Sequence, residues 1–346
     1  MRAALAGRPL DRALALVALV VLALGPLIFS DFFLSAVLTK MLWLGIAAAS
    51  LIFLAGYGGM VSLAQTALYG IAAFTMGNAV AADGGLKTAL DPWVGVVVGI
   101  AVTVGVGLVF GAVSARSEGI YFLMISLAFA VLTFFFWGAV TQLSGFGGLN
   151  DIDAPALVSN PVLDPDNLYY VALVVAVAVY ALVRYVARTP FGVALQGIRD
   201  EPTRMRALGY NVALHRTLAF AFGAFIASTA GILAAWWQTR IDPNSINLGA
   251  TLDVLVIAVI GGLLRLEGAW VGAFVFVLID RYTRDVGFIG ERFNTVIGCI
   301  FLVIVMLSPG GLLGIWEGVR SFLARQLKAP SAGPRATPES AAGGGS

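Results

Sequence analysis

The sequence predicts an all-α fold, a polytopic bundle of about eight to ten membrane-spanning helices, some short or re-entrant, with both termini cytoplasmic. Three observations carry this expectation. Of 346 residues, 60% are hydrophobic and only 12% are charged, against about 25% charged in an ordinary soluble domain. The mean hydropathy of +0.93 leaves too little polar surface to cover a globule in water. Apolar runs recur from Ala13 to Ser308 with few breaks, so the solvent of the folded chain is lipid. The 41 glycines, set inside those runs, read as close helix contacts and helix breaks rather than as disorder.

A spanning helix needs about 20 mostly apolar residues. The runs 13–30, 34–55, 60–82, 93–115, 119–140, 168–187 and 216–238 meet that need. The first follows Arg2, Arg8 and Arg12, as in a signal peptide. However, Gly25-Pro26-Leu27-Ile28-Phe29 continues the apolar run where a small-residue cleavage site would stand, so a retained span is expected. Two shorter runs, 248–263 and 266–280, are parted by Arg265-Leu266-Glu267. At ~1.5 Å per residue each covers roughly 23 Å, less than the ~30 Å hydrocarbon core. They are either two short tilted spans or one re-entrant pair, and both choices start and end on one side. A last run covers 293–308. The glycines 58–59 leading to Gly70-Ile71-Ala72-Ala73-Phe74 are weakly similar to Gly261-Gly262 leading to Gly272-Ala273-Phe274, a pattern expected of an inverted repeat.

Alternating these runs from an inside N-terminus leaves six basic residues outside: Lys40, Lys87, Arg240, Arg281, Arg284 and Arg292. The other 15 of the 21 fall inside, the direction that the positive-inside rule demands. Residues 1–315 then form one transmembrane domain and 316–346 a cytoplasmic tail. That tail is rich in Ala, Gly, Pro and Ser, ends Gly343-Gly344-Gly345-Ser346, and reads as partly disordered. The external loop 141–167 carries Asp151, Asp153, Asp164 and Asp166 without a basic residue, and reads either as a structured cap or as a solvated connector.

Several chemistries are excluded. A net charge of +2 implies no nucleic-acid partner. Cys299 stands alone in an apolar run and reads as a small buried hydrophobe, so neither a disulfide nor a metal-thiolate site is expected within the chain. His215, the single histidine, reads as solvated in a basic loop, and no cluster completes a metal site. An enzyme would need grouped His, Asp, Glu or Ser at catalytic spacing. A secondary transporter or channel would need an acid deep in a span, and the runs place none there. Asp253 opens a short run near an interface, and Arg265 and Glu267 read as a cytoplasmic turn.

The longest inside loop between spans, 188–215, is the informative one. In it Asp200 is suited to cap a helix, Pro202 to its first turn, and Gly209 to end it in a left-handed conformation. The expected short helix carries Arg199, Asp200, Glu201, Arg204, Met205, Arg206, Ala207 and Leu208, with the arginines, Met205 and Leu208 facing the cytoplasm. Such a helix either lies in the lipid interface or serves as a rigid coupling element for a separate motor. No Gly-x-x-x-x-Gly-Lys-Ser/Thr phosphate loop occurs, so ATP chemistry would belong to a partner.

Residues 199–211 are followed by Leu218-Ala219-Phe220, Ser228-Thr229-Ala230-Gly231 and Leu233-Ala234-Ala235. Before them stand Gly58-Gly59-Met60-Val61-Ser62-Leu63-Ala64-Gln65 and Gly119-Ile120-Tyr121-Phe122-Leu123-Met124. After them stand Gly268-Ala269-Trp270-Val271-Gly272-Ala273 and Ser308-Pro309-Gly310-Gly311-Leu312-Leu313-Gly314. In this order, over roughly 35–315, the chain resembles the permease family of branched-chain amino-acid ABC importers, the Liv type, and its M-type subunit. The loop resembles the coupling signature of importer permeases, centred on Ala207 and Gly209, with Pro202, Arg204 and Met205 departing from it.

The resemblance implies an importer for branched-chain amino acids or related solutes in a bacterial inner membrane, with urea and short amides as the alternative cargo. It implies a heterodimer with a second homologous permease, two cytoplasmic ATPases that use ATP and Mg, a periplasmic or extracellular solute-binding protein, and no cofactor bound by this chain. It further implies a path at the interface of the two permeases. The candidate path residues are the helix break at Tyr57, Gly58 and Gly59 and the polar Gln65, Thr66 and Asn78.

Overall fold

The computed structural model describes residues 17, 20–81, 90–150, 152–158, 164–285, 295, 297–299, 302, 306 and 310–314. Among these the architecture is helical, with a single isolated antiparallel bridge between Leu149 and Ile241. The expected run 13–30 is described in part and the run 293–308 at a few positions, while the 316–346 tail lies outside the described residues.

Helix α1 spans Leu34–Gly58. Its first six residues, Leu34–Thr39, wind as a π-helix, and the α-helix proper starts at Lys40. It stops because Gly59 adopts a left-handed φ of +67°, its N–H still reaching the Ala55 carbonyl at 3.2 Å while the Met60 N–H turns back to the Leu54 carbonyl at 3.0 Å. Helix α2, Gln65–Val80, follows. The expected span 60–82 is therefore corrected: residues 59–64 are not helical, and the 16-residue helix covers roughly 24 Å. Irregular backbone at membrane depth survives only where protein satisfies it. Here Leu63 donates its N–H to Ser126 Oγ at 3.0 Å.

Helices α3, Pro92–Ser114, and α4, Ile120–Ala139, come next. Asp91 caps α3 by accepting from the Trp93 N–H at 2.8 Å. The stretch leading to α5, Pro165–Arg188, is held against residues 239–241: the Leu149 and Ile241 backbones exchange bonds of 2.8 and 2.9 Å, and Ile152 N–H reaches the Thr239 carbonyl at 3.2 Å. Two short helices follow, α6 at Pro190–Asp200 and α7 at Pro202–Ala207. Helix α8 covers Val212–Gln238, capped by Asn211 through the Leu214 N–H at 3.0 Å. A 3-10 turn, Pro243–Ile246, leads into α9, Leu248–Gly261, and a turn at 262–267 leads into α10, Gly268–Asp285, so the two short apolar runs form a helical hairpin.

Among the described residues α1, α3, α4, α5 and α8 are long and apolar enough to cross a membrane. They divide into two layers. Helices α1 and α8 are buried along most of their length and form the core, whereas α3, α4 and α5 expose most of their apolar surface outward. Small residues set this layering. Helix α3 buries Gly95, Gly99, Thr103, Gly107 and Gly111, one face at a spacing of four, with α2 packed on Gly95 and Gly99 and α8, Val212–Gln238, packed on Gly107 and Gly111. Cys299 is exposed rather than buried, because apolarity asks only for absence of water, which lipid also supplies.

Candidate functional site

Two sites lie at opposite ends of α1. The first is the α6–α7 pair. Thr189 opens α6, its hydroxyl donating to the Val186 carbonyl at 2.7 Å, and Pro190 occupies the first turn. Helix α6 buries Gly192, Ala194, Leu195 and Ile198, a face that packs on the end of α1 and on α5. The expected single helix capped by Asp200 is corrected. Asp200 closes α6, Glu201 is extended between the helices without a side-chain capping bond, and Pro202 starts α7. The carboxylate of Asp200 instead holds Arg199, at 2.7 Å.

Arg199 and Met205 are likewise not free knobs. The Arg199 guanidinium donates to the Gly56 carbonyl in the last turn of α1. Its stem lies over Gly59, where a Cβ would come within 2.6 Å of Arg199 Cγ. Met205 turns back onto α6 at Gly197, where a Cβ would sit 2.9 Å from its sulfur. Arg204, Arg206, Ala207, Leu208 and Gly209 are exposed, with Gly209 at φ +89° as its position after a helix requires. Glu118, in the turn between α3 and α4, accepts from buried Arg216 at 2.9 Å and from Arg206 at 3.4 Å. His215, expected to be solvated, is half-buried: it stacks on Phe191 with centroids 5.7 Å apart, and Tyr210 meets it edge-on.

On the same end Glu267 accepts from Tyr180 Oη at 2.9 Å and from the Arg184 guanidinium, which also donates to Tyr180. This ties α5 to the α9–α10 turn. Gly59 belongs to this end through Arg199, and Gly58 faces Leu195 of α6.

The second site is a cavity of about 140 Å³ between α1, α2, the 3-10 turn, α9 and α10. Of the six candidate path residues it is lined by Thr66 alone. Gln65 is buried beside it with its Oε1 accepting from Ser50 at 2.9 Å, and Asn78 lies far along α2, donating to the Phe74 carbonyl at 2.8 Å. What the sequence reading missed is charge. Lys40 and Asp280 form a direct ion pair of 2.6 Å in the cavity wall, with Asp280 only 6% exposed, and Asp253 lines the same space. A buried acid paired with a lysine was not expected from the sequence. A signal existed: Lys40 lies inside the apolar run 34–55, not beyond it, and Asp280 closes the run 266–280. Tyr69 borders the cavity and donates to the Ser245 carbonyl at 2.8 Å. A larger cavity of about 380 Å³ lies between α4 and the start of α9, lined by Phe134, Phe135 and other residues without charge.

The profile of the family described as branched-chain amino acid transport system / permease component matches residues 33–306. The chain is 24% identical over 335 residues to the high-affinity branched-chain amino acid transport system permease protein LivM of Escherichia coli K12, covering 90% of this chain and 77% of that one. It is 25% identical over 224 residues to a probable LivM of Methanocaldococcus jannaschii, covering 60% and 64%. It is also 25% identical over 143 residues to LivH of Escherichia coli K12, covering 41% and 46%. The chain thus spans less than two thirds of the latter two relatives. No solved structure matches it significantly.

Proposed function

The chain belongs to the family of branched-chain amino acid transport system permease components, and from that premise we propose that it is the membrane-embedded permease subunit of an ABC importer in a bacterial inner membrane. Its cargo is a branched-chain amino acid or a close amino-acid-like solute. Its partner in the membrane is a second, homologous permease, a reading supported by similarity to both LivM and LivH of one organism. Two cytoplasmic ATPases use ATP and Mg, and a soluble binding protein delivers the solute from outside.

The observation that carries this reading is the bond between Arg199 and the Gly56 carbonyl. A helix lying passively in the lipid interface needs no anchor in the protein core. Helix α6 is instead fixed by Arg199 to the buried helix α1, and Arg206 of α7 meets Glu118 in the α3–α4 turn, while Arg204, Leu208 and Tyr210 remain open. A load applied to α7 therefore reaches the core through hydrogen-bonded contacts rather than through lipid.

The test is uptake by the reconstituted permease pair with its ATPases and binding protein. Substituting Gly209→Pro, or both Arg204→Glu and Arg206→Glu, is expected to reduce ATP-dependent uptake at least about tenfold, the loss of roughly 1.4 kcal/mol of coupling. Unaltered ATP-driven uptake in both variants, or uptake by this chain alone without ATP, refutes the assignment.

A further inference from the structure

We propose that the cavity bounded by Lys40, Thr66, Asp253 and Asp280 is a membrane-embedded binding site for the zwitterionic head of an α-amino acid, built by this one chain. The inference rests on the importer reading above and adds to it the place and chemistry of recognition.

Ionisable groups within a membrane are expensive and mark solute or ion pathways. Here charges of both signs converge from helices distant in sequence: Lys40 from α1, Asp280 from α10 at 2.6 Å, and Asp253 from α9. A bound ammonium can engage the carboxylates of Asp280 and Asp253, and a bound carboxylate the ammonium of Lys40. Neutral donors accompany them. Thr66 Oγ1 and Trp43 Nε1 are buried and have no hydrogen-bond partner within the chain. A buried donor left unmatched costs about 1–3 kcal/mol, and both residues line this cavity. The remaining wall is apolar, with Leu44, Val254 and Phe276 available to an aliphatic side chain. The volume of about 140 Å³ is below the ~300–1,000 Å³ of pockets for drug-sized ligands, which restricts the occupant to a small solute.

Binding is read by thiol protection in the complete transporter. With Cys299→Ser removing the native thiol, Thr66→Cys is labelled by a small cationic methanethiosulfonate. Leucine is expected to slow labelling at least about tenfold, as a site occupied more than nine-tenths of the time must. Neither 4-methylpentanoate, which lacks the ammonium, nor 3-methylbutylamine, which lacks the carboxylate, is expected to protect. Absence of labelling, absence of protection by leucine, or equal protection by either analogue overturns the site.

A second measurement is independent of the introduced thiol. Removing one charge alone would strand its partner in a buried setting and risk misfolding, so Lys40→Met and Asp280→Asn are combined. Leucine uptake by that variant is expected to fall at least about tenfold at normal assembly, while Thr103→Val, a buried hydroxyl on α3 outside the cavity lining, transports as the parent does. An unchanged KM and maximal rate in the double variant overturn the site while leaving the importer reading intact. Failure of the parent complex to take up any amino acid overturns the importer reading itself.

Discussion

At the scale of single residues, Gly59 is constrained twice over. It combines a left-handed φ of +67° with the Arg199 stem lying where a side chain would go. Gly209 has φ +89° but open space around it. Alanine at Gly209 is expected to cost about 1–2 kcal/mol from the backbone alone, and alanine at Gly59 more, because the Arg199 link must also shift. Thermal unfolding of the two purified variants checks the order, and Arg199→Ala introduced beside Gly59→Ala should recover part of the loss. Equal destabilisation would mean that the Arg199 contact carries no weight. The glycines themselves were legible as breaks in an apolar run. The partner of Gly59 was not, since Arg199 is distant in sequence and its own neighbourhood reads as an exposed basic helix. The same limit hid Lys40 and Asp280, which are 240 positions apart and were each assigned singly to a loop or the end of a run.

Among the elements, helix α3 owes its place to its small face. A Cβ on Gly107 would come within 2.5 Å of Ala224 Cβ on α8, whereas a Cβ on Gly105 meets nothing within 4 Å. Leucine at Gly107 is expected to wedge α3 from α8 and destabilise the chain by about 1–3 kcal/mol or more. Leucine at Gly105, on the exposed face, should be tolerated. A comparable fall in the unfolding midpoint for both would contradict the packing. The Arg184–Glu267 pair makes the opposite point. Its side chains are 34% and 40% exposed, so a double-mutant cycle should return about 1 kcal/mol or less, and a much larger coupling would show that the surroundings exclude water from it. Helix positions were legible because apolar length is a property of sequence. The break at 59–64 was not, because whether such a segment stays helical depends on Ser126 of another helix being there to receive the Leu63 N–H.

For the whole molecule, orientation is the property to test. The distribution of Lys and Arg places the α3–α4 turn, α6–α7 and the α9–α10 turn on the cytoplasmic side, and the chain after α8 outside. In the Cys299→Ser background, Arg240→Cys should react with a membrane-impermeant maleimide added to intact cells, and Arg116→Cys and Arg265→Cys only after permeabilisation. Reaction of either of the latter pair in intact cells would invert or break the topology. The layering of the bundle was not legible in hydropathy. All five long helices are strongly apolar, so hydropathy alone does not separate α1 and α8, wrapped by protein, from α3, α4 and α5, which face outward.

Helix α1 joins the ion pair at Lys40 to the arginine clasp at Gly56, and the intervening 16 residues measure about 24 Å. Over such an arm small angles become useful distances. A tilt of about 5° pivoting on the Gly56 end carries Lys40 sideways by about 2 Å at that rise per residue, comparable with the 2.6 Å that now separates its ammonium from Asp280. Leverage of this kind needs no bending of the helix and no change in its hydrogen bonds, so the stiffness of the core rod is itself the gearing between the Arg199 clasp and the Lys40–Asp280 pair.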